Sequence, residues 1–246
     1  MRLGVIADVH GNLPALEVVL SDLAGRGVDA AVNLGDLVSG PLWPRESLDL
    51  LRRSGIPALR GNHDRWVGEG GGGPSDRHAL NELDIQGCDW LRALPMRLEP
   101  APGILAFHGR PENDNAYLLE EVRDGRLVPA PAALVAARLG MVRAGLVLCA
   151  HSHLAALRQL PDGRQVLNPG SVGCPAYDDS PDPAHVSESG SPAARYAVVE
   201  VEAGALRAVE LIALPYDREA AALRADANGR PEWAHALRHG FMPGCA

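Results

Sequence analysis

Apolar positions in the first part of the chain fall in short runs separated by polar turns. Leu3 to Ala7 is one such run, and it leads through a polar turn into Leu13 to Leu23, where apolar residues recur at helical spacing. Ala30 to Leu34 repeats the strand pattern, Pro44 to Arg53 repeats the helical one, and a third apolar run ends at Leu59. The first quarter therefore reads β-α-β-α-β and predicts an α/β fold. Beyond the glycine run Gly70 to Gly73, expected to form a mobile loop, the pattern predicts a helical region over Asp76 to Leu94. A strand at Ile104 to Phe107, a helix at Pro131 to Leu139 and a strand at Leu146 to Ala150 follow.

The second half changes character. Ala155 to Leu160 and Arg164 to Leu167 flank Pro161-Asp162-Gly163, and Tyr196 to Val201 and Leu206 to Leu211 flank Ala203-Gly204, which predicts two antiparallel hairpins. Two facing sheets covered by helices accommodate both halves. Asp178 to Pro192, rich in Ser, Pro, Asp and Gly, reads as a flexible surface loop, and Asp217 to Arg238 as two short helices broken at Asn228-Gly229-Arg230-Pro231. The expected organisation is one domain over residues 1–246, with 215–246 a C-terminal helical extension.

Composition narrows the function. The chain has 246 residues, 46% hydrophobic but only 4% aromatic, so the core is expected to rest on Leu, Val and Ala. A formal charge of −8 argues against a surface for long nucleic acid, which calls for a basic stripe, whereas a small anion can still bind where metal cations supply the charge. Cys88, Cys149, Cys174 and Cys245 form no CxxC pair and read as reduced structural thiols. The start of the chain runs directly into strand-like sequence, and no apolar run approaches the ~20 residues of a membrane helix. The expectation is a cytoplasmic protein with no membrane partner, open to forming a homo-oligomer.

Residue types that ligate metals cluster immediately after the predicted strands. Asp8-Val9-His10-Gly11-Asn12 follows the first, Gly35-Asp36 the second, Gly61-Asn62-His63-Asp64 the third, His108-Gly109 a later one and His151-Ser152-His153 the strand ending at Ala150. Ligands of open α/β sheets bind outside the carboxyl ends of the strands, so five such loops predict one crevice. Taken singly, each reads as easily otherwise: Asp8 as a helix N-cap, Asp36 as a turn residue, any one histidine as a satisfied structural side chain. The turn after the first strand, Asp8-Val9-His10-Gly11-Asn12, holds neither GxGxxG nor GxxxxGK[ST], which disfavours a nucleotide-binding Rossmann or P-loop site.

The ordered set Asp8-x-His10, Gly35-Asp36, Gly61-Asn62-His63-Asp64, His108 and His151-Ser152-His153 resembles the calcineurin-like metallophosphoesterase superfamily, and Asn168-Pro169-Gly170-Ser171-Val172 looks like its small bacterial branch of phosphodiesterases and phosphatases. The resemblance covers about Met1 to Leu211. It implies a four-layer α-β-β-α sandwich, two mixed sheets flanked by helices (α/β, or α+β by some schemes). It also implies two divalent metal ions, one held by Asp8, His10, Asp36 and His153 and the other by Asp36, Asn62, His108 and His151. Carboxylate, amide oxygen and imidazole donors suit Mn²⁺ first, with Fe, Zn, Ni or Co as alternatives.

Two such ions ~3.5–4 Å apart would share a water, lower its pKa and direct it at the phosphorus of a small mono- or diester. His63 is expected to protonate the leaving oxygen, with Asp64 orienting its ring, and Asn12, Asn62 and Arg110 to contact substrate. Arg110 reads equally well as a loop arginine paired with Glu112 or Asp114. The resemblance departs from its pattern at Ala150, where a glycine is usual, and at Arg110, where a small residue is expected. Alternatives are a catalytically silent scaffold on the same fold, or a nuclease.

Overall fold

A computed structural model describes residues 1–180, 183–202 and 204–244. In chain order β1 (Arg2–Ile6), α1 (Leu13–Gly25), β2 (Ala30–Asn33) and α2 (Pro44–Ser54) open the fold. Three short helices follow, α3 (Asn62–Gly68), α4 (Pro74–Glu82) and α5 (Ile85–Ala93). Next come β3 (Arg97–Ala101), β4 (Ile104–Phe107), β5 (Glu120–Arg123), β6 (Arg126–Pro129), α6 (Ala132–Leu139), β7 (Leu146–Leu148), β8 (Ala156–Gln159) and β9 (Gln165–Asn168). The chain ends with β10 (Ala176–Asp179), β11 (His185–Glu188), β12 (Ala194–Glu202), β13 (Ala205–Leu214), α7 (Arg218–Ala227) and α8 (Pro231–His239).

Two mixed sheets face each other, ordered β13-β12-β1-β2 and β3-β4-β7-β9-β8. Period-2 alternation assigns their faces. Leu3 and Val5 of β1, Ala197, Val199 and Val201 of β12, and Leu146 and Leu148 of β7 fill the space between the sheets. The intervening residues point outward: Ile6, Tyr196 and Val198 pack under α1 and α2 through Leu16, Val19, Leu48 and Leu51, while Val147, Phe107 and Val166 pack under Val135 and Leu139 of α6. Each fully buried Leu or Val contributes about 1.5–3 kcal/mol, so this alternation fixes strand register as well as layering. The layers are helix, sheet, sheet, helix.

Three elements depart from the sequence reading, while the glycine run stays a loop between α3 and α4. The strand expected to end at Leu59 shrinks to a single parallel bridge, Asn33 with Ala58, because Pro57 has no N–H for a ladder and Arg60 N–H turns away to Pro95 O. The helix expected over Asp76 to Leu94 is split, since the Asp84 carboxylate accepts from Gly87 N–H at 2.7 Å and starts α5 afresh. The glycine run closes α3 with Gly70 and Gly71 N–H bonded to Val67 and Trp66 carbonyls. Finally, the expected loop over Asp178 to Pro192 contains β11, which pairs antiparallel with β10 in a third sheet ordered β10-β11-β6-β5; Pro181 and Asp182 lie outside the described residues. Its alternation of half-buried and buried residues is only four residues long and lies between Pro183 and Pro192, which hid it.

The C-terminal helices form a hairpin packed through Ala221, Ala222, Ala225, Ala234 and Leu237 around Leu42, in the loop after β2. Alanines let the two helices approach closely. Asn228 Nδ2 donates to Pro41 O (2.9 Å) and Arg224 Nε to Leu42 O (3.2 Å), tying the hairpin to that loop. Among the described residues no helix is long and apolar enough to cross a membrane.

Candidate metal centre and active site

The parallel pair β1-β2 in one sheet and the parallel set β4-β7-β9 in the other end on the same side of the molecule, where their loops meet. Beyond the strands the first two loops stay zipped: Asp8 N–H donates to Gly35 O and His10 N–H to Asp36 O, both at 3.0 Å. Six described non-glycine residues have a left-handed backbone, and five are sequence-predicted ligands: Asp8 (φ 54°), His10 (49°), Asp36 (55°), His151 (71°) and His153 (61°). Such a conformation costs about 1–3 kcal/mol per residue and persists where surrounding structure enforces it, as at ligand clamps. Ala150 is not among them, so an alanine in place of the usual glycine carries no backbone strain.

Three histidines are oriented by backbone carbonyls. Nδ1 of His10 bonds to Ser39 O (2.6 Å), Nδ1 of His108 to Leu34 O (2.7 Å) and Nδ1 of His153 to Cys174 O (2.8 Å). A carbonyl only accepts, so each Nδ1 carries the hydrogen and each Nε2 of a neutral ring presents its lone pair. These Nε2 atoms converge. His10 Nε2 lies 3.1 Å from His153 Nε2, His153 Nε2 lies 3.6 Å from Asp8 Oδ1, and His108 Nε2 lies 3.1 Å from Asp36 Oδ2. Two lone pairs facing each other at 3.1 Å repel unless an electrophile sits beside both.

Three overlapping groups bring ligand atoms within 4.8 Å of one another: Asp8, His10 and Asp36; Asp36, His108 and His151; and His10, His153 and Cys174. Asp36 belongs to two of them. Both carboxylate oxygens of Asp8, Asn62 Oδ1 and His108 Nε2 are buried without a hydrogen-bond partner. Orphaned buried acceptors are costly, and a cation is what satisfies this set. Electrostatically the set divides, for at His108 burial is outweighed by Asp36 and Asp8, which raise it to about 10. Burial lowers His10 to about 4 and His151 to about 3, keeping both rings neutral as ligands must be. Burial, reinforced by Asp36, pushes the Asp8 carboxyl well up, whereas at Asp36 the neighbouring histidines overcome burial and hold it well down.

His63 stands at the rim with its side chain 28% exposed. Its Nδ1 donates to Asp76 Oδ1 at 2.7 Å, and Ser39 Oγ donates to the same oxygen at 2.7 Å. Burial opposes the charged ring, but Asp36 and Asp76 outweigh it and raise His63 to about 9. The carboxylate that orients His63 is thus Asp76, and the expectation for Asp64 is corrected. Asp64 accepts from the N–H groups of Asp36 (2.7 Å), Leu37 (2.9 Å) and Gly61 (3.0 Å), clamping two loops together. Adjacent helical positions point in different directions, so Asp64 cannot face the ring beside it. Asp76 escaped the sequence reading because Gly73-Pro74-Ser75-Asp76 looks like an ordinary helix start, a role it also plays by accepting from Gly73 N–H.

Two proposed substrate contacts are also placed elsewhere. Asn12 is fully buried as the N-cap of α1: Oδ1 accepts from Ala15 N–H, and Nδ2 donates to Gly173 O and Tyr216 Oη. Its polar atoms are consumed by the fold, and the cap that Asp8 was weighed for is Asn12. Arg110 Nε donates to Tyr117 O (2.9 Å) and braces the loop after β4 away from the cavity; Glu112 and Asp114 pair with Arg97 and Arg65 instead. Asn62 does face the cavity.

The ligand cluster opens into a cavity of about 360 Å³. Its walls include residues that the sequence reading left unassigned: Trp66 beside His63, Tyr117 stacked on His151 (4.8 Å between ring centroids), Tyr177 edge-on to His153 (4.7 Å), Cys174, and Arg230 and Trp233 from the C-terminal hairpin. Cys174 is buried and free, as is Cys149; Cys245 lies outside the described residues.

The sequence model of the calcineurin-like phosphoesterases matches residues 1–155. The chain belongs to this family of metal-dependent phosphoester hydrolases. Among solved structures, a metallophosphoesterase of Sphaerobacter thermophilus superimposes with a TM-score of 0.75 at 27% identity, covering 98% of this chain and 100% of that one. A candidate diadenosine tetraphosphatase shares the fold at 18% identity with a TM-score of 0.53, covering 87% and 94% of the two chains. The uncharacterized protein MJ0912 of Methanocaldococcus jannaschii is 40% identical over 65 residues, 26% of this chain; the matched stretch spans 27% of that relative's length.

Proposed function

We propose that this chain hydrolyses small phosphate mono- or diesters with two divalent metal ions, one held by Asp8, His10, Asp36 and His153 and the other by Asp36, Asn62, His108 and His151. The observation that carries the reading is the facing pair of Nε2 atoms of His10 and His153, 3.1 Å apart, with each Nδ1 bonded to a carbonyl. The donor set fits the ions: two carboxylates, one amide oxygen and four imidazoles, more nitrogen than magnesium or calcium favours, which points to Mn²⁺ or a neighbouring transition metal. When bound, such ions supply Lewis-acid polarisation of the phosphoryl oxygens and an activated water.

The residues supply the rest. Asp8 and Asp36 carry the only formal negative charges in the donor set, so two divalent ions leave the site positive and able to attract a phosphate in a chain of net charge −8. His63, held protonated by Asp36 and Asp76, delivers its proton from Nε2 to the departing oxygen, while Asp76 keeps Nδ1–H engaged. Asn62 is positioned to touch both a metal and the substrate. The C-terminal hairpin adds Arg230 and Trp233 to the wall of the cavity.

The test is to strip the protein of metal, restore Mn²⁺, Zn²⁺, Ni²⁺, Co²⁺ or Mg²⁺ singly, and assay a monoester, an aryl diester, a cyclic nucleotide, a dinucleoside tetraphosphate and a phosphopeptide. Hydrolysis of at least one, restored best by a transition metal, is expected. Silence on the whole panel with both metal positions filled would favour a scaffold without catalysis.

A further inference from the structure

The chain has ten aromatic residues apart from histidine, and four of them, Trp66, Tyr117, Tyr177 and Trp233, line this one cavity. Of the others, Trp43, Trp90, Phe107, Tyr196 and Tyr216 pack in the hydrophobic cores, as Trp233 also does in part, whereas Trp66, Tyr117 and Tyr177 join none of those clusters. All four are half-buried, with ring surface left toward the cavity. Four rings run in a row, Trp66 to His63 (4.9 Å), His63 to His10 (5.4 Å) and His10 to Trp233 (6.0 Å). The proton donor of the proposed reaction thus stands between two indoles. The leaving group departs on the side of that donor, so its surroundings are aromatic.

Trp233 is set in place by the C-terminal hairpin, beyond residues 1–155 that the family shares. With it comes Arg230, the only Lys or Arg among the described residues on the cavity wall, whose guanidinium lies 5.9 Å over the Trp233 ring and donates to Ser75 Oγ at 3.0 Å. We infer that α8 supplies the specificity-determining wall of the active site, and that Trp233 and Trp66 select phosphoesters whose leaving alcohol carries a planar aromatic group. The inference rests on the phosphoesterase reading above. A cavity of about 360 Å³ is at the lower end of the range for small-molecule sites and limits that group to one or two rings with the phosphate. Arg230, ion-paired with Glu232 through Nε, lays its guanidinium over the Trp233 ring and ties it to Ser75 at the start of α4.

The test uses the metal-loaded full chain and two non-hydrolysable probes, benzylphosphonate and ethylphosphonate, titrated calorimetrically. Each good aromatic contact is expected to favour the benzyl probe, together by about tenfold. Trp233→Leu keeps apolar volume against the hairpin and should bring that ratio close to one with metal content unchanged. In parallel, kcat/KM is compared for diesters with benzyl or ethyl leaving alcohols, which have similar basicity. Loss of the benzyl preference in Trp233→Leu supports the inference; equal binding of the two probes by the unmodified protein, or an unchanged ratio in the variant, overturns it. A chain that binds the probes with this preference but hydrolyses neither diester, nor any member of the panel above, would instead sink the phosphoesterase reading and leave the aromatic wall standing.

Discussion

Asp76 Oδ1 accepts a 2.7 Å hydrogen bond from His63 Nδ1, joining the start of α4 to the ring at the mouth of the site. Because Nδ1 is held, only Nε2 is free to give a proton to substrate, and the charge of Asp76 helps keep that proton in place.

Replacing His63 by Ala is expected to lower kcat by about 10²–10⁴ for esters with poor leaving groups, and far less for nitrophenyl esters, which need no proton. Metal content, read by elemental analysis, should stay near that of the unmodified protein. Equal losses on both kinds of ester would remove His63 from the role of general acid.

The acid must be protonated to act, so the rate falls as pH rises through the pKa of His63. That value is raised to about 9 by Asp36 and Asp76 acting against burial, and bound cations pull it lower. Asp76→Asn retains an oxygen for Gly73 N–H but removes a charge that raises the pKa. The alkaline limb of kcat/KM should therefore move to lower pH; an unmoved limb would contradict the pairing.

Asp36→Ala is expected to empty both metal positions and abolish turnover, because Asp36 belongs to two ligand groups. Far-UV circular dichroism checks that the chain stays folded. Retention of one full equivalent of metal would show that Asp36 does not bridge.

A side chain at position 61 has no room. A Cβ there would stand 2.1 Å from Asp36 Oδ1 and 2.7 Å from Asp36 N. Gly61→Ala must displace the carboxylate, so metal affinity should drop by about tenfold or more, as happens when the support of a ligand is disturbed. Unchanged affinity in a competitive chelator titration would count against this geometry.

Asp64→Ala leaves the N–H groups of Asp36, Leu37 and Gly61 without their acceptor. Each orphaned buried donor costs about 1–3 kcal/mol, so the metal-free protein should lose about 3 kcal/mol or more. Urea unfolding measures it: the midpoint should fall with little change in slope, and a shift worth under about 1 kcal/mol would refute the clamp.

The sequence by itself determined the layers and the ligand loops. Alternation in Leu3 to Ile6 and Tyr196 to Val201 assigns each residue to one face of its sheet, and Asp8, Asp36, His108 and His151 each follow a strand, where chain geometry alone carries them to one edge. Such signals are local, since a period or a strand end is written in neighbouring residues. Only the tertiary structure decided that Asp76 serves His63 while Asp64 is spent on backbone N–H groups, that Asn12 is a cap and Arg110 a brace, that β11 pairs inside an apparent linker, and that Trp233 comes back to the mouth of the site from more than two hundred residues after His10. Those partners are chosen by packing between distant segments. The same Asp, Asn or Trp satisfies its local pattern equally well whichever neighbour the folded chain gives it.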